Sequence, residues 1–529
     1  MLLIRSSVLK EMPGELSGVV GALLQQAFFN EHSHDFSNSG INLTLLDGAS
    51  LRIFMKLEII ISDEAALHAI YLCKGSSGLK PCFLCQNIFD YKRNARGIVE
   101  RDASGVAQYH CCSDASKLVL HTPDTLSAIV RRLVAAATTM SRADFAELQT
   151  RLGWNHTFGS LMLNGRLRSL CDPSKHACFD WMHVYFVSGI FNVHAGQLMS
   201  ALREYGVSYE KLCQYVSGWH WPSRLGVVNA ADVFGKKRAK ASWEAGTLKA
   251  TASEGLSLLP VMANFLNAIA EQAESETLKA HVSCFLQLAQ IIGVIMRSSR
   301  VAVDPAALER TICSYLSAFQ ALYGPDSMTI KFHFSLHFPA FLRRWRILPN
   351  CFVHERKHKQ AKRFGNEVRN TSSNWDASVL REVTNHRLSA LTGARFATDA
   401  GLISPHAVNA KMLALLQQEL GLHPADSFAT AVCARINEWE HCCKNDVVML
   451  KRDGQAIVGQ VAWHASVTIA DEVHTLSCVT QWDAILNGTW SSKWRRSPAH
   501  FLCMTSEITC SLVWAGSGDV VATLQPMRV

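Results

Sequence analysis

The sequence predicts an α/β fold with a large all-helical region in its middle and a small β domain at its C-terminal end. Three observations predict it. Residues 41–62 read as strands that run into a helix. Residues 124–322 carry helical spacing almost throughout. After Asp446 the pattern changes to short apolar runs separated by turns.

Taken in order, residues 16–29 (LSGVVGALLQQAFF) have apolar positions at helical spacing. INLTLL, a turn at Asp47-Gly48 and LRIFMKLEIIIS follow. The second run is rich in Ile, Leu and Phe and reads as a buried strand. It ends at Asp63-Glu64, and AALHAIYLC after it reads as a helix. Gly75-Ser-Ser-Gly78 is a turn, and Cys82-Phe-Leu-Cys85 comes next. The clearest helical stretch is 251–296, where Thr251 or Ser253 can cap the first helix. Residues 233–242 (VFGKKRAKAS) read as a basic, Gly-containing connection. Helical spacing returns near 406. The strands after Asp446 begin with VVMLK, a turn at Asp453-Gly454 and AIVGQVAWHASV, which suggests a small barrel or sandwich. The boundary falls at 440–445. No repeat at a solenoid period is present.

The chain has 529 residues, 48% hydrophobic and 18% charged. That is globular composition with several domains, not a disordered chain. The net charge of +8 permits a nucleic-acid partner without demanding one. No uninterrupted apolar run of about 18 residues occurs, so no membrane span is expected. Glu11 and Glu15 interrupt the start where a secretory leader would stay apolar. The 17 cysteines are scattered and read as reduced intracellular thiols, some of them candidates for metal, rather than as a disulfide framework.

Four clusters have chemistry to offer. Asp63 follows a strand, and it reads either as a site carboxylate or as a helix N-cap. Cys82-x-x-Cys85 supplies two soft ligands on one turn, half of a tetrahedral zinc site. His110, Cys111 and Cys112, about 25 residues downstream, can complete it; the alternative is a pair of buried thiols. Asp180 and His183 share a helix face at i and i+3, the spacing of a carboxylate that orients a histidine in a core. In 331–364, His333 and His337 are four apart, and Glu355 sits among Arg356, Lys357, His358, Lys359, Lys362 and Arg363. Such an acid stays ionised and suits a metal beside a phosphate-binding surface; the alternative is a solvated basic helix.

In this order the pieces resemble the transposase of CACTA-type DNA transposons and its relatives. SDEAAL with the Gly turn and Cys-x-x-Cys, CFDWMH, and KFHFSLHFP leading to FVHERKHKQAKRF carry the resemblance, over residues 60–370. It implies an RNase H-like mixed sheet interrupted by a large helical insertion. It also implies three carboxylates that hold two Mg²⁺ or Mn²⁺ ions for in-line phosphodiester displacement. Carried over, Asp63 is the second acid and Glu355 the third, 292 residues later. Asp180 and His183 are the insertion motif, with a structural or DNA-contacting role. Lys357, Lys359, Lys362 and Arg363 contact duplex DNA. The metal set beside the acids is Zn²⁺ on Cys82, Cys85, His110 and Cys111. The first acid is not identifiable. Of Glu11, Glu15, Glu31, Asp35, Asp47, Glu58 and Glu64, none closes a strand, as though the start of the core were lost or outside this gene model.

The segments are then 1–123, a partial RNase H-like core; 124–325, the helical insertion; 326–440, the end of the core with the basic helix; and 441–529, the β domain. The expected protein is transposon-derived and nuclear. It binds double-stranded DNA through a degraded strand-transfer site, without a membrane, and an oligomer is compatible. The alternatives are an active metal-dependent transposase or nuclease, and a scaffold acting through the β domain. In that scaffold Trp463, Trp482, Trp490 and Trp494 line a groove or fill the core.

Overall fold

The computed structural model describes residues 6–29, 35–45, 47–87, 89–91, 96, 98, 109–111, 114–223, 230–367, 374–392, 400–421, 427–437, 440–452, 454–469 and 472–525. Glu31, Cys112 and Asp453 lie outside them. The chain is a mixed α/β protein with several sheets and a helical region. It divides into two compact units, Met1–Val193 with Ser298–Val383, and His194–Arg297 with Thr384–Val529.

In the first unit, β1 (Ile41–Thr44) and β2 (Ser50–Ile53) form an antiparallel hairpin, with Leu43 opposite Leu51. The expected single buried strand after the turn breaks in two. Residues 54–59 form no regular element, and the strand resumes as β3 (Ile60–Ser62). The physical reason is charge. Lys56 and Glu58 pair with each other at 3.1 Å, both well exposed, so this stretch cannot enter a core. β4 (Phe89–Tyr91) and β5 (Tyr109–Cys111) make a second hairpin.

β3 lies parallel to β6 (Ala177–Phe179), with Ser62 opposite Phe179. Each strand runs straight into a helix whose N-cap is an aspartate. Asp63 caps α1 (Glu64–Tyr71), accepting from Ala66 N at 2.7 Å. Asp180 caps α2 (Trp181–Phe186) through Met182 N and His183 N. Further along come α3 (Ile330–Ser335), α4 (Phe338–Trp345) and α5 (Phe352–Glu367). Pro339 stands in the first turn of α4, where its missing N–H costs nothing.

In the second unit, Thr251 caps the helix Ala252–Gln272 in a capping box with Glu254, and Ser253 lies inside that helix. Residues 233–242 are not a connection. Gly235 is the N-cap of a helix, Lys236–Ala245, because the Lys, Arg and Ala that follow are good helix formers. The helix Glu276–Arg297 is long and apolar enough to cross a membrane, but 61% of its apolar window is buried inside the protein. Leu278, Val282, Phe285, Leu288, Ile292 and Ile295 form that buried face at helical spacing.

The β region of this unit reaches back before the expected boundary. β7 (Gly401–Ile403), β10 (Cys433–Arg435) and β11 (His441–Cys443) form one small sheet. β8 (His406–Ala407) and β9 (Ser427–Ala431) join a nine-stranded sheet with β12 (Val447–Arg452), β13 (Gln455–Ile469), β14 (Glu472–Asn487), β15 (Ser491–Met504), β16 (Ile508–Leu512), β17 (Trp514–Ala515) and β18 (Val520–Leu524). The strands are not all short, since β13, β14 and β15 have 15, 16 and 14 residues. Bulges between Val461 and Trp463 and between Thr480 and Trp482 let them bend without ending. Cys433 and Cys443, opposite each other across β10 and β11, form a disulfide, a departure from the expectation of reduced thiols.

Candidate metal centre

Cys82 and Cys85 sit on a turn that is fully buried. α3 delivers His333, and His337 is the N-cap of α4. The i, i+4 spacing puts the two imidazoles on one side of the chain. Cys82 Sγ lies 3.4 Å from His337 Nε2, and Cys85 Sγ lies 3.5 Å from it. The two Nε2 atoms are 3.2 Å apart. All four ligand atoms fall within 4.8 Å of one another. A tetrahedral zinc with bonds of about 2.3 Å to sulfur and about 2.05 Å to nitrogen separates nitrogens by about 3.3 Å and nitrogen from sulfur by about 3.6 Å. The spacing therefore fits such an ion.

The electrostatics agree. Burial alone would raise the Cys82 thiol, but the hydrogen bond with Cys85 and the two imidazoles pull it well below the ordinary thiol value. Leu84 N also donates to its sulfur at 3.4 Å. Burial pushes His333 down, toward the neutral form a metal needs. Two imidazoles pointing Nε2 at each other next to two sulfurs bring four donor atoms to one point, and a cation there satisfies them all. The surroundings are apolar. Phe179 stacks on Phe334 at 4.0 Å, packs on Phe83 at 5.0 Å and lies 5.9 Å from His337. Two sulfurs and two imidazoles without a carboxylate suit zinc, and four protein ligands close the site. This buried cluster could hold a metal such as zinc in a structural role.

Among the described residues the group is completed by His333 and His337, where the sequence suggests His110 and Cys111. Those two lie on β5, and their side chains lie outside the described residues. A Cys-x-x-Cys far upstream of a His-x-x-x-His was the signal in the sequence. The nearer His110-Cys111-Cys112 offers the same ligand types at shorter range, which hides that signal.

A second constellation lies at the ends of β3 and β6. Asp180 N bonds Ser62 O at 3.4 Å, so the aspartates that close the two strands are neighbours along the sheet edge. Asp63 caps α1 through Oδ1. Asp180 is 1% exposed, and His183 Nδ1 bonds its Oδ2. Its Oδ1 accepts from Cys351 N at 3.1 Å, one residue before α5 begins. Glu355 therefore lies in the first turn of a helix that starts beside Asp180, although its side chain lies outside the described residues. Lys331, on α3, donates to His183 O at 3.2 Å and to Val187 O at 2.5 Å, which ties down the far end of α2. Lys357, Lys362 and Arg363 are exposed on α5, and the side chain of Lys359 lies outside the described residues. No strand before Asp63 closes on an acid among the described residues, since β1 and β2 run on into Leu45 and Phe54.

The second unit holds another thiol and imidazole, with the opposite chemistry. Cys442 Sγ is 3.9 Å from His464 Nε2, His464 Nδ1 bonds Ser477 Oγ at 2.8 Å, and Ser477 bonds Thr505. Burial pushes Cys442 up to about 12 and His464 down to about 4. The pair is neutral and sealed in the core, so it is no nucleophile. Of the tryptophans expected near a groove, Trp482 and Trp494 belong to the core. Trp463 borders a cavity of about 400 Å³ with Leu416, Cys478, His500 and Leu502. Neither a protein-family model nor a curated protein matches this sequence.

Proposed function

We propose that this chain is a transposon-derived, DNA-binding protein of the nucleus, with an RNase H-like core stapled by zinc and an incomplete two-metal site. The observation that carries the reading is the shared edge of β3 and β6. Two adjacent parallel strands end side by side on Asp63 and Asp180, and the helix bearing Glu355 starts at the same place. Asp63 and the start of the Glu355 helix, 292 residues apart, thereby share one sheet edge through Asp180, and bringing distant acids together is what a site for divalent-metal phosphodiester chemistry requires. Mg²⁺ or Mn²⁺ would be held by Asp63 and Glu355. With no acid closing a strand before Asp63 among the described residues, the paired clamp on attacking and leaving oxygens would be incomplete, so duplex DNA would be bound and not cut.

The exposed cations of α5 are the proposed contact, through backbone phosphates. Replacing Lys357, Lys359 and Lys362 by Ala is expected to weaken binding to duplex DNA and to flatten its salt dependence, because fewer counterions are released. A titration at several salt concentrations, beside a cleavage assay with Mn²⁺, reads both. Cleavage that vanishes in Glu355→Gln would mean an active nuclease. No binding at low salt would favour a scaffold acting through the β region.

A further inference from the structure

We infer that Asp180 and Trp181 are a clasp that positions α5, and that the Asp180 carboxylate itself binds neither a metal nor DNA. The Asp180 carboxylate is buried and fully engaged. Oδ1 accepts from Met182 N at 3.2 Å and from Cys351 N at 3.1 Å. Oδ2 accepts from His183 N at 3.3 Å and bonds the His183 ring. Trp181, itself 4% exposed, donates from Nε1 to Leu348 O at 3.2 Å and sets its ring 5.8 Å from Phe352. Consecutive residues thus grip both ends of the segment 348–352, and α5 starts from its last residue. A carboxylate with every lone-pair direction spent inside the protein has none left for a phosphate-bound cation or a base. What it does is fix where a helix begins.

The grip matters because it sets the start of α5, while the bond from Trp375 Nε1 to Gly365 O at 3.4 Å lies at its far end. Its sequence, FVHERKHKQAKRFGNE, is mostly polar, with Phe352, Val353 and Phe364 as its large apolar residues. The far side of the clasp is fixed through Lys331, which ties α2 to the helix that carries His333. The metal centre and α5 are therefore joined through Asp180 and Trp181. Losing one buried acceptor strands backbone donors that have no water to turn to.

The effect on DNA rests on the reading of α5 as the contact helix, but the clasp can be tested without it. In Asp180→Asn, amide hydrogen exchange over 352–367 is expected to rise at least tenfold, while zinc content and the exchange of 64–71 stay unchanged. Affinity for duplex DNA falls about tenfold at an unchanged salt slope, because a less often docked helix makes the same number of phosphate contacts. The lysine variants differ in that their slope changes. Unchanged protection of 352–367 overturns the clasp, whatever the protein does with DNA. If Asp180→Asn loses zinc or exchanges globally, Trp181→Phe takes its place. It removes the single bond to Leu348 O and must raise exchange in α5 for the inference to stand.

Discussion

At Cys82, burial and neighbours pull in opposite directions, and the neighbours win. A thiolate that forms in an apolar box, 3.4 Å from the His337 imidazole, calls for a cation beside it. Cys82→Ser or His337→Ala is therefore expected to abolish bound zinc. Either should destabilise the first unit by more than about 4 kcal/mol, the range in which loss of a structural metal belongs. Metal analysis with thermal unfolding checks this. His110→Ala should retain one zinc per chain; zinc lost there and kept in His337→Ala would reassign the centre. Half of this site was legible in the sequence, because two cysteines three apart can be read locally. The other half was not. His333 and His337 stand about 250 residues away, and only the fold closes that distance. Asp63 and Asp180 show the same limit. Asp63 reads locally as a cap and Asp180 as the orienter of a histidine, and only the parallel pairing of β3 with β6 makes them neighbours.

Elements were legible where a local signal sufficed. Thr251 and Glu254 announce a capping box, and both halves form. The strand through 51–62 was not legible, because its apolar residues masked the cost of burying Lys56 and Glu58. Nor was the helix 236–245, whose basic residues read as a linker until Glu254 received Arg238. That pair has two nitrogen–oxygen contacts of 2.8 Å. The hydrogen bond from Arg238, with those from Thr251, holds Glu254 at about 2 instead of the ordinary 4.5. A lowered folded value means that the stabilisation is complete above about pH 4.5 and is lost as pH falls toward 2. Glu254→Gln keeps the capping acceptor and removes the charge. Its stability deficit against the parent protein is expected to shrink across that window and to hold steady between pH 5 and about 8. Urea unfolding at each pH measures it. A deficit that stays constant down to pH 3 would show that the ion pair contributes nothing.

The whole molecule is assembled across the sequence, which is why segment boundaries drawn along it could not capture the units. Each unit takes two stretches of chain. In the second, the β region expected to start at 441 takes β9 from Ser427 and leans on helices more than two hundred residues upstream. His220 and Trp514 exchange backbone hydrogen bonds at 2.7 and 3.1 Å and stack their rings at 4.3 Å. Asp446, 5% exposed, accepts from Ser223 N at 2.9 Å and from Ser223 Oγ at 2.8 Å. Cut away from 194–297, the β region would leave this carboxylate short of two donors and bare the ring of Trp514. Its sheet also packs against the helix Ala252–Gln272 through β18. Unpaired buried acceptors cost about 1–3 kcal/mol each, and exposed aromatic area adds to that. Since a whole domain has only about 5–15 kcal/mol in hand, the loss is a large share. Residues 384–529 produced alone are therefore expected to show native strand content by circular dichroism, but to bind a hydrophobic dye and unfold at a lower temperature than the second transition of the full chain. Adding 194–297 in trans should recover part of the difference. A fragment as stable as the full chain's β region, unaffected by the helical segment, would mean that the sheet is an independent domain and that the Trp514 and Asp446 contacts are incidental.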